Sequence, residues 1–207
     1  MQAGLKGFAF TEKNPIHGMT SGSPLDTDSE TRLVQWFVMR DLTRSNAKLP
    51  AYLLLAGEGI ECFTPMVPKL RICQGKRERV GAPFIHDLLF VHSSREVLDP
   101  FVERIRTFQY RYLRKPWREP MTVRNEEMER FIRAVGSVET PRYYRPDEIT
   151  SDMCSRKIRL IGGKLEGYEG YLLSVRGSRS KRLLVELPGL LAAAVEVEPE
   201  YIQLLKP

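Results

Sequence analysis

Positive charge is the most concentrated chemical resource of this 207-residue chain. The stretch KLRICQGKRER carries Lys69, Arg71, Lys76, Arg77 and Arg79 against one acid, Glu78. From Arg104 to Arg118 come Arg104, Arg106, Arg111, Arg114, Lys115 and Arg118 with no acid, interleaved with Phe108, Tyr110, Tyr112 and Trp117. Cations at such density neutralise phosphates and release counterions, and aromatic rings between them offer faces on which bases stack. Arg71, Lys76, Arg77, Arg79, Arg111 and Arg114 are therefore candidate nucleic-acid contacts. Each patch also has a plainer reading: a solvated charged hairpin for the first, and a strand whose aromatics serve the core for the second. The formal charge of +6 and pI of about 9.3 agree with a polyanionic partner without specifying one.

Catalytic candidates are thin. His86 and Asp87 are adjacent in an apolar run, and neighbours on a strand point to opposite faces, so they do not make an oriented base. GGKLEGYEG looks like a phosphate loop but lacks the G-K-[ST] ending and the strand-to-helix context. Cys62, Cys73 and Cys154, with His17, His86 and His92, show no disulfide frame and no metal-ligand spacing. The expectation is a protein without catalytic residues, cofactor or metal. No apolar run approaches the roughly 20 residues of a membrane span, and the N-terminus carries no secretory h-region, so a cytoplasmic location is expected.

These residues need elements to hold them. Residues 1–33, rich in Gly, Ser, Pro and Thr, read as a loosely attached tail. Order is expected from Val34, where VQWFVMRDL is apolar at nearly every position, as in a strand covered on both faces. A short helix follows, with Leu49, Tyr52, Leu53 and Ala56 on its apolar face. A strand, IECFTPMV, comes next, and then the cationic hairpin turning at Gln74-Gly75. Phe84 to His92 reads as a second apolar strand. Asp99-Pro100 reads as the start of a helix bearing Phe101, Val102 and Ile105. Another strand leads to a helix with Met128, Phe131, Ile132 and Val135 on one side. Residues 137–156 lose periodicity and read as a linker between a domain at 34–136 and another at 157–207. Past the linker the period becomes two, over five segments: Ile158 and Leu160, Leu173 and Val175, Leu183, Val185 and Leu187, Val195 and Val197, and Ile202 and Leu204. Short alternating strands at this spacing suggest a small SH3-like barrel. Gly163, Gly167 and Gly170 are expected to shape its first hairpin.

The order of elements, with four local motifs, resembles NusG-type transcription elongation factors across about Val34 to Leu205. Trp36-Phe37-Val38 resembles the opening strand of that family's N-terminal domain. Gly59-Ile60-Glu61 to Pro65 is similar to its "gi-x-x-f-x-P" stretch, and Ile85 to Val91 to its "f-P-G-Y-l-F-V" strand. IGGKLEGYEG, with glycines at 163, 167 and 170, resembles the KOW motif. His86-Asp87-Leu88 stands where the family has P-G-Y. The tail and the basic hairpin look more like the specialised paralogues of the RfaH and UpxY group.

The resemblance implies an α+β chain: a ferredoxin- or RNP-like α/β sandwich of antiparallel sheet and helices, then a small all-β SH3-like KOW barrel. It implies a non-enzymatic antiterminator that binds the clamp helices of the RNA polymerase β′ subunit through Trp36, Ile85, Leu88 and Phe90. The basic residues would touch DNA or nascent RNA, and the barrel would recruit a ribosomal protein or Rho. A ribosome-associated KOW protein binding structured RNA is the alternative.

Overall fold

The computed structural model describes residues 32–44, 49–73, 76–114, 118–173 and 180–205. The expected tail therefore lies outside the described residues apart from its last two positions, and so do the Gln74-Gly75 turn, Lys115, Trp117 and Val175. Strand β1 (Gln35–Asp41) is the spine of the first unit. It pairs antiparallel with β5 (Leu89–Ser93) on one side, and with β6 (Phe108–Tyr110) and β7 (Thr122–Val123) on the other. β2 (Glu61–Phe63) extends the sheet beyond β5. β3 (Met66–Cys73) and β4 (Lys76–Pro83) form a separate two-stranded sheet.

β1 is apolar from Trp36 to Met39 because both its faces are covered there, and these residues divide strictly by parity. Phe37 and Met39, with Leu89, Val91, Phe108 and Tyr110 from neighbouring strands, form one core. That core lies against helices α1 (Ala51–Gly57) and α2 (Arg95–Arg104), through Ala51, Leu55 and Leu98. Trp36, Val38 and Phe90 point the other way, into a second core.

Asp41 closes β1 and sets the start of α1. Its Oδ2 accepts the Ala51 N–H at 2.8 Å, and its Oδ1 accepts the Thr43 N–H and hydroxyl at 3.0 and 2.7 Å. Three donors offset the desolvation of a carboxylate that is only 6% exposed. This anchor turns Ala51 and Leu55 to the sheet and leaves Leu49 and Leu53, two of the expected face residues, exposed. Two other expectations shift. α2 starts at Arg95 after Ser94, so Pro100 sits inside the helix; the one backbone donor it removes is tolerated while Leu98 is fully buried. The run Phe84 to Leu88 is a turn, closed by Leu88 N–H to the Ile85 carbonyl at 3.2 Å, and β5 begins only at Leu89.

Beyond helix α3 (Asn125–Gly136) lies a six-stranded antiparallel sheet. Its order is β13 (Ile202–Leu204), β9 (Cys154–Leu160), β10 (Glu169–Leu173), β11 (Lys181–Leu187), β12 (Leu191–Val197), β8 (Arg142–Tyr144). The sixth strand comes from the stretch expected as linker: Tyr143 and Tyr144 pair with Ala193 and Ala192. The rest of that stretch lies over the sheet. Ile149, Met153 and Cys154 pack on a small core of Leu173, Leu184, Ala192 and Ala194. Alanine at 192 and 194 suits a face that this covering chain approaches closely.

The other face of the six-stranded sheet joins the first unit. Met128, Phe131 and Ala134 of α3 are fully buried in one continuous cluster with Trp36, Val38 and Phe90 on one side and Ile158, Leu183, Val185, Leu191 and Val195 on the other. The Phe131 ring meets Phe63 edge-on at 6.1 Å, and Phe84 lies 5.7 Å from Tyr143 across the seam. The architecture is mixed α/β, dominated by sheet, with one helix shared between two sheets. Phe131→Ala should then cost about 3–5 kcal/mol. Because the core is shared, denaturant transitions followed by tryptophan fluorescence and by far-ultraviolet dichroism should move together. A shift confined to one probe would mean that the two units unfold independently.

Candidate docking and nucleic-acid interface

Three of the four expected polymerase-contact residues are interior. Trp36 is 2% exposed, Leu88 2% and Phe90 0%. Trp36 stacks on His92 with ring centres 4.9 Å apart, while His92 Nδ1 lies 2.9 Å from Glu61 Oε2. Ile85 alone is half-buried. It sits with Phe84 in the turn before β5, and these two and Phe63 of β2 pack on the margin of the shared core. What reaches the surface is this margin beside the seam.

The cationic hairpin is joined to the body at its base. Pro65 is buried and its carbonyl accepts the Phe84 N–H at 2.7 Å, while Val67 packs on the shared core. Beyond the base, residues 68–72 and 77–79 are exposed. Register decides which cations act together, since directly opposed residues share a face. Leu70 pairs with Arg79 and Ile72 with Arg77, whereas Arg71 pairs with Glu78 and Lys69 with Val80. Arg77 and Arg79 therefore share a face with Leu70 and Ile72. Lys69 and Arg71 share the opposite one with Glu78. Lys76 pairs with Cys73 at the closing end of the ladder. The four hairpin residues expected as one site are thus split by the pleat.

The second basic patch is partly committed within the fold. Arg111 lies 3.6 Å from Asp87 Oδ2, which Arg40 also approaches at 3.4 Å. Asp87 thus serves an ion-pair cluster. Arg114 is exposed at the tip of the excursion between β6 and β7. Tyr110 belongs to the core, its hydroxyl donating to Asp99 Oδ1 at 2.8 Å.

The three glycines of IGGKLEGYEG do different work. Gly163 (φ 71°) and Gly167 (φ 79°) take left-handed conformations in the turn between β9 and β10. Gly170 lies within β10 at ordinary φ, where a Cβ would come 2.5 Å from the Leu184 carbonyl oxygen. The turn leads from strand to strand, which is no phosphate-loop context. Leu165 and Tyr168 of this turn are buried in the shared core, an unforeseen role. The Tyr168 hydroxyl donates to the Arg130 carbonyl at 3.0 Å, Arg130 donates to the Glu169 carbonyl at 2.8 Å, and its guanidinium lies 4.8 Å over the Tyr168 ring. Glu169 also pairs with Arg159 and Lys157, and the Arg159 hydrogen bond holds its carboxyl below the usual range. The only sequence cue was an arginine placed on the polar side of α3.

An open groove of about 770 Å³ runs along the seam between Leu33, Val34 and Met121 of the first unit and Leu187 and Leu190 of the second. No His or Cys lines it. Among the described residues no group of His, Cys, Asp and Glu is placed to hold a metal, and no helix is long and apolar enough to cross a membrane. Cys62, its thiol donating to the Tyr52 carbonyl at 3.3 Å, is pushed up to about 11 by burial and by Glu61.

Three outcomes follow from these placements. Leu88→Asp should destabilise the protein by about 3 kcal/mol or more, because the carboxylate enters an apolar core; unchanged chemical denaturation would return Leu88 to the surface. Gly170→Ala should cost about 1–3 kcal/mol through collision with Leu184, and Gly167→Ala about 1–2 kcal/mol through backbone strain alone, so only the first should also disturb amide protection in β11. Below pH 11 Cys62 stays protonated, so its alkylation at pH 8 should run about a hundredfold slower in the native protein than in urea; equal rates would show an open site.

No curated protein matches the chain. Among solved structures, one titled "Domain interaction in Thermotoga maritima NusG" is similar at 14% identity, covering 84% of this chain and 98% of that one, with a TM-score of 0.41. Residues 34–132 match the family model described as "Transcription termination factor nusG". That match spans the domain built around β1, which is thus similar to the domain of that family.

Proposed function

We propose that the chain is a non-enzymatic regulator of transcription elongation, an antiterminator whose N-terminal domain docks on the clamp helices of the RNA polymerase β′ subunit. The observation that carries this reading is the family match over 34–132, the segment holding the β1 sheet and the cationic hairpin. Ile85, with Phe63 and Phe84 beside it, is the apolar contact at the margin of the seam. Trp36, Leu88 and Phe90 support that margin from inside the core. Mechanism here is differential binding: a protein that prefers the closed clamp shifts the polymerase toward its pause-resistant state, and makes or breaks no bond.

The Lys69–Arg71 face of the hairpin and Arg114 supply phosphate contacts to DNA or nascent RNA near the polymerase. The six-stranded sheet is the KOW unit, which takes a ribosomal protein or Rho as its second partner. The strongly basic hairpin favours a specialised paralogue of the RfaH and UpxY kind, acting on particular operons.

Transcription of a long template by the host polymerase, with and without the protein, tests the reading: full-length product should rise and pause lifetimes fall. Unaltered pausing, together with ribosomal RNA as the main ligand in a pull-down, would transfer the protein to the ribosome-associated class. At residue level, Ile85→Glu should weaken polymerase binding about tenfold. Lys69→Ser with Arg71→Ser should flatten the salt dependence of nucleic-acid binding by about two phosphate contacts. An unchanged salt slope would remove this face from the interface.

A further inference from the structure

We infer that the outward face of the β3–β4 hairpin is a protein-docking surface whose partner presents an apolar patch rimmed by carboxylates. This rests on the reading that the chain binds a transcribing polymerase, and assigns a second protein contact beyond the clamp.

The sequence of β3 alternates as a half-buried strand does, with Met66, Pro68, Leu70 and Ile72 on one parity and Val67, Lys69 and Arg71 on the other. In such a strand the apolar parity ordinarily faces the core. Here the order is reversed: Val67 turns inward at the base, and the apolar parity faces solvent along the whole strand. Leu70 and Ile72 are each 70% exposed, more than any other large apolar side chain among the described residues, and Met66 is 37% exposed. Four apolar residues in register make a continuous stripe about 20 Å long at strand rise. An uncovered stripe of this kind marks an interaction surface.

The cations on this face choose the partner. Arg79 stands opposite Leu70 and Arg77 opposite Ile72, and the four positions include no acid. Arginine beside aliphatic side chains is an interface composition, because the guanidinium is weakly hydrated and pairs with carboxylates in a fork. Phosphates alone would reward Arg77 and Arg79 but leave Leu70 and Ile72 in water. Unlike aromatic rings, these two aliphatics offer no stacking face to single-stranded bases. A second copy of this chain would set arginine against arginine. A carboxylate-rimmed apolar surface satisfies all four residues together. The hairpin then has two working faces, Lys69 and Arg71 toward phosphate and Leu70, Ile72, Arg77 and Arg79 toward protein.

The test is photocrosslinking in an elongation complex assembled from the host's RNA polymerase on a nucleic-acid scaffold, using the full chain with benzoylphenylalanine in place of Leu70 or of Arg71. Position 70 should crosslink to a polymerase subunit and position 71 to a nucleic-acid strand. The double variant Leu70→Ser with Ile72→Ser, at exposed positions where folding is unaffected, should bind the complex about tenfold more weakly. A crosslink from position 70 to nucleic acid, to the chain's own residues 1–31 or to a second copy would overturn the assignment. So would binding of the double variant within twofold of wild type. Failure of the wild-type chain to bind would overturn the polymerase reading itself.

Discussion

Met128, Phe131 and Ala134 lose all contact with solvent on a helix of twelve residues. A helix resting on one sheet buries a single stripe and keeps its other side wet. α3 does more because a second sheet covers what the first leaves bare. Each sheet in turn relies on the helix: Trp36, Val38 and Phe90 would otherwise face water on one side, and Leu183, Val185 and Val195 on the other. At roughly 1.5–3 kcal/mol for each large apolar side chain buried, separating the units would expose more than a marginally stable protein tolerates without compensation. The Arg130–Tyr168–Glu169 contacts add direction to this burial, fixing which part of the six-stranded sheet meets the helix.

The shared core also constrains where the proposed working surfaces fall. Side chains attractive as docking anchors because they are large and apolar are consumed by the seam, so Trp36, Leu88 and Phe90 support a surface without forming it. Under the proposed function, recognition falls to features outside the core: the Ile85 turn at the margin of the seam, and a hairpin that, among the described residues, meets the body at its base. Beyond the base of the hairpin no described residue buries the strands, and the pleat sorts their side chains. Five cations that look equivalent in a linear reading consequently divide into groups with different neighbours.

Much of this architecture was legible because periodicity reports which residues avoid water. β1, α3 and the five alternating segments after residue 157 all emerged near their expected places. What periodicity does not report is the identity of the covering partner. The apolar side of α3 was visible in Met128 and Phe131, but nothing local indicated that two sheets would claim it. The same limit explains Phe84 to Leu88, a stretch that reads as strand and is a turn whose Phe84, Ile85 and Leu88 pack at the seam. It explains the stretch after residue 137, where Ile149 and Met153 are too widely spaced to show a period and yet cover Leu173 and Leu184. For the candidate site, residue types could name the cations, while the separation of Arg71 from Arg77 and Arg79 required the register of the ladder.

That covering stretch limits what the second unit can do. α3 ends at Gly136 and β8 begins at Arg142, so the connection between the shared helix and the six-stranded sheet is residues 137–141. Fully extended, such a segment spans at most about 18 Å. Releasing residues 142–153 would raise the reach to about 60 Å, but only by stripping β8 from β12 and uncovering Leu173, Leu184, Ala192 and Ala194. The hydrogen bonds of one ladder and a small apolar core thus stand between a short tether and a long one. While they hold, the six-stranded sheet stays within about 18 Å of the end of α3, so the second partner proposed for it would be held beside the N-terminal domain. Reach in this protein is governed by the stability of its outermost strand more than by the composition of its linker.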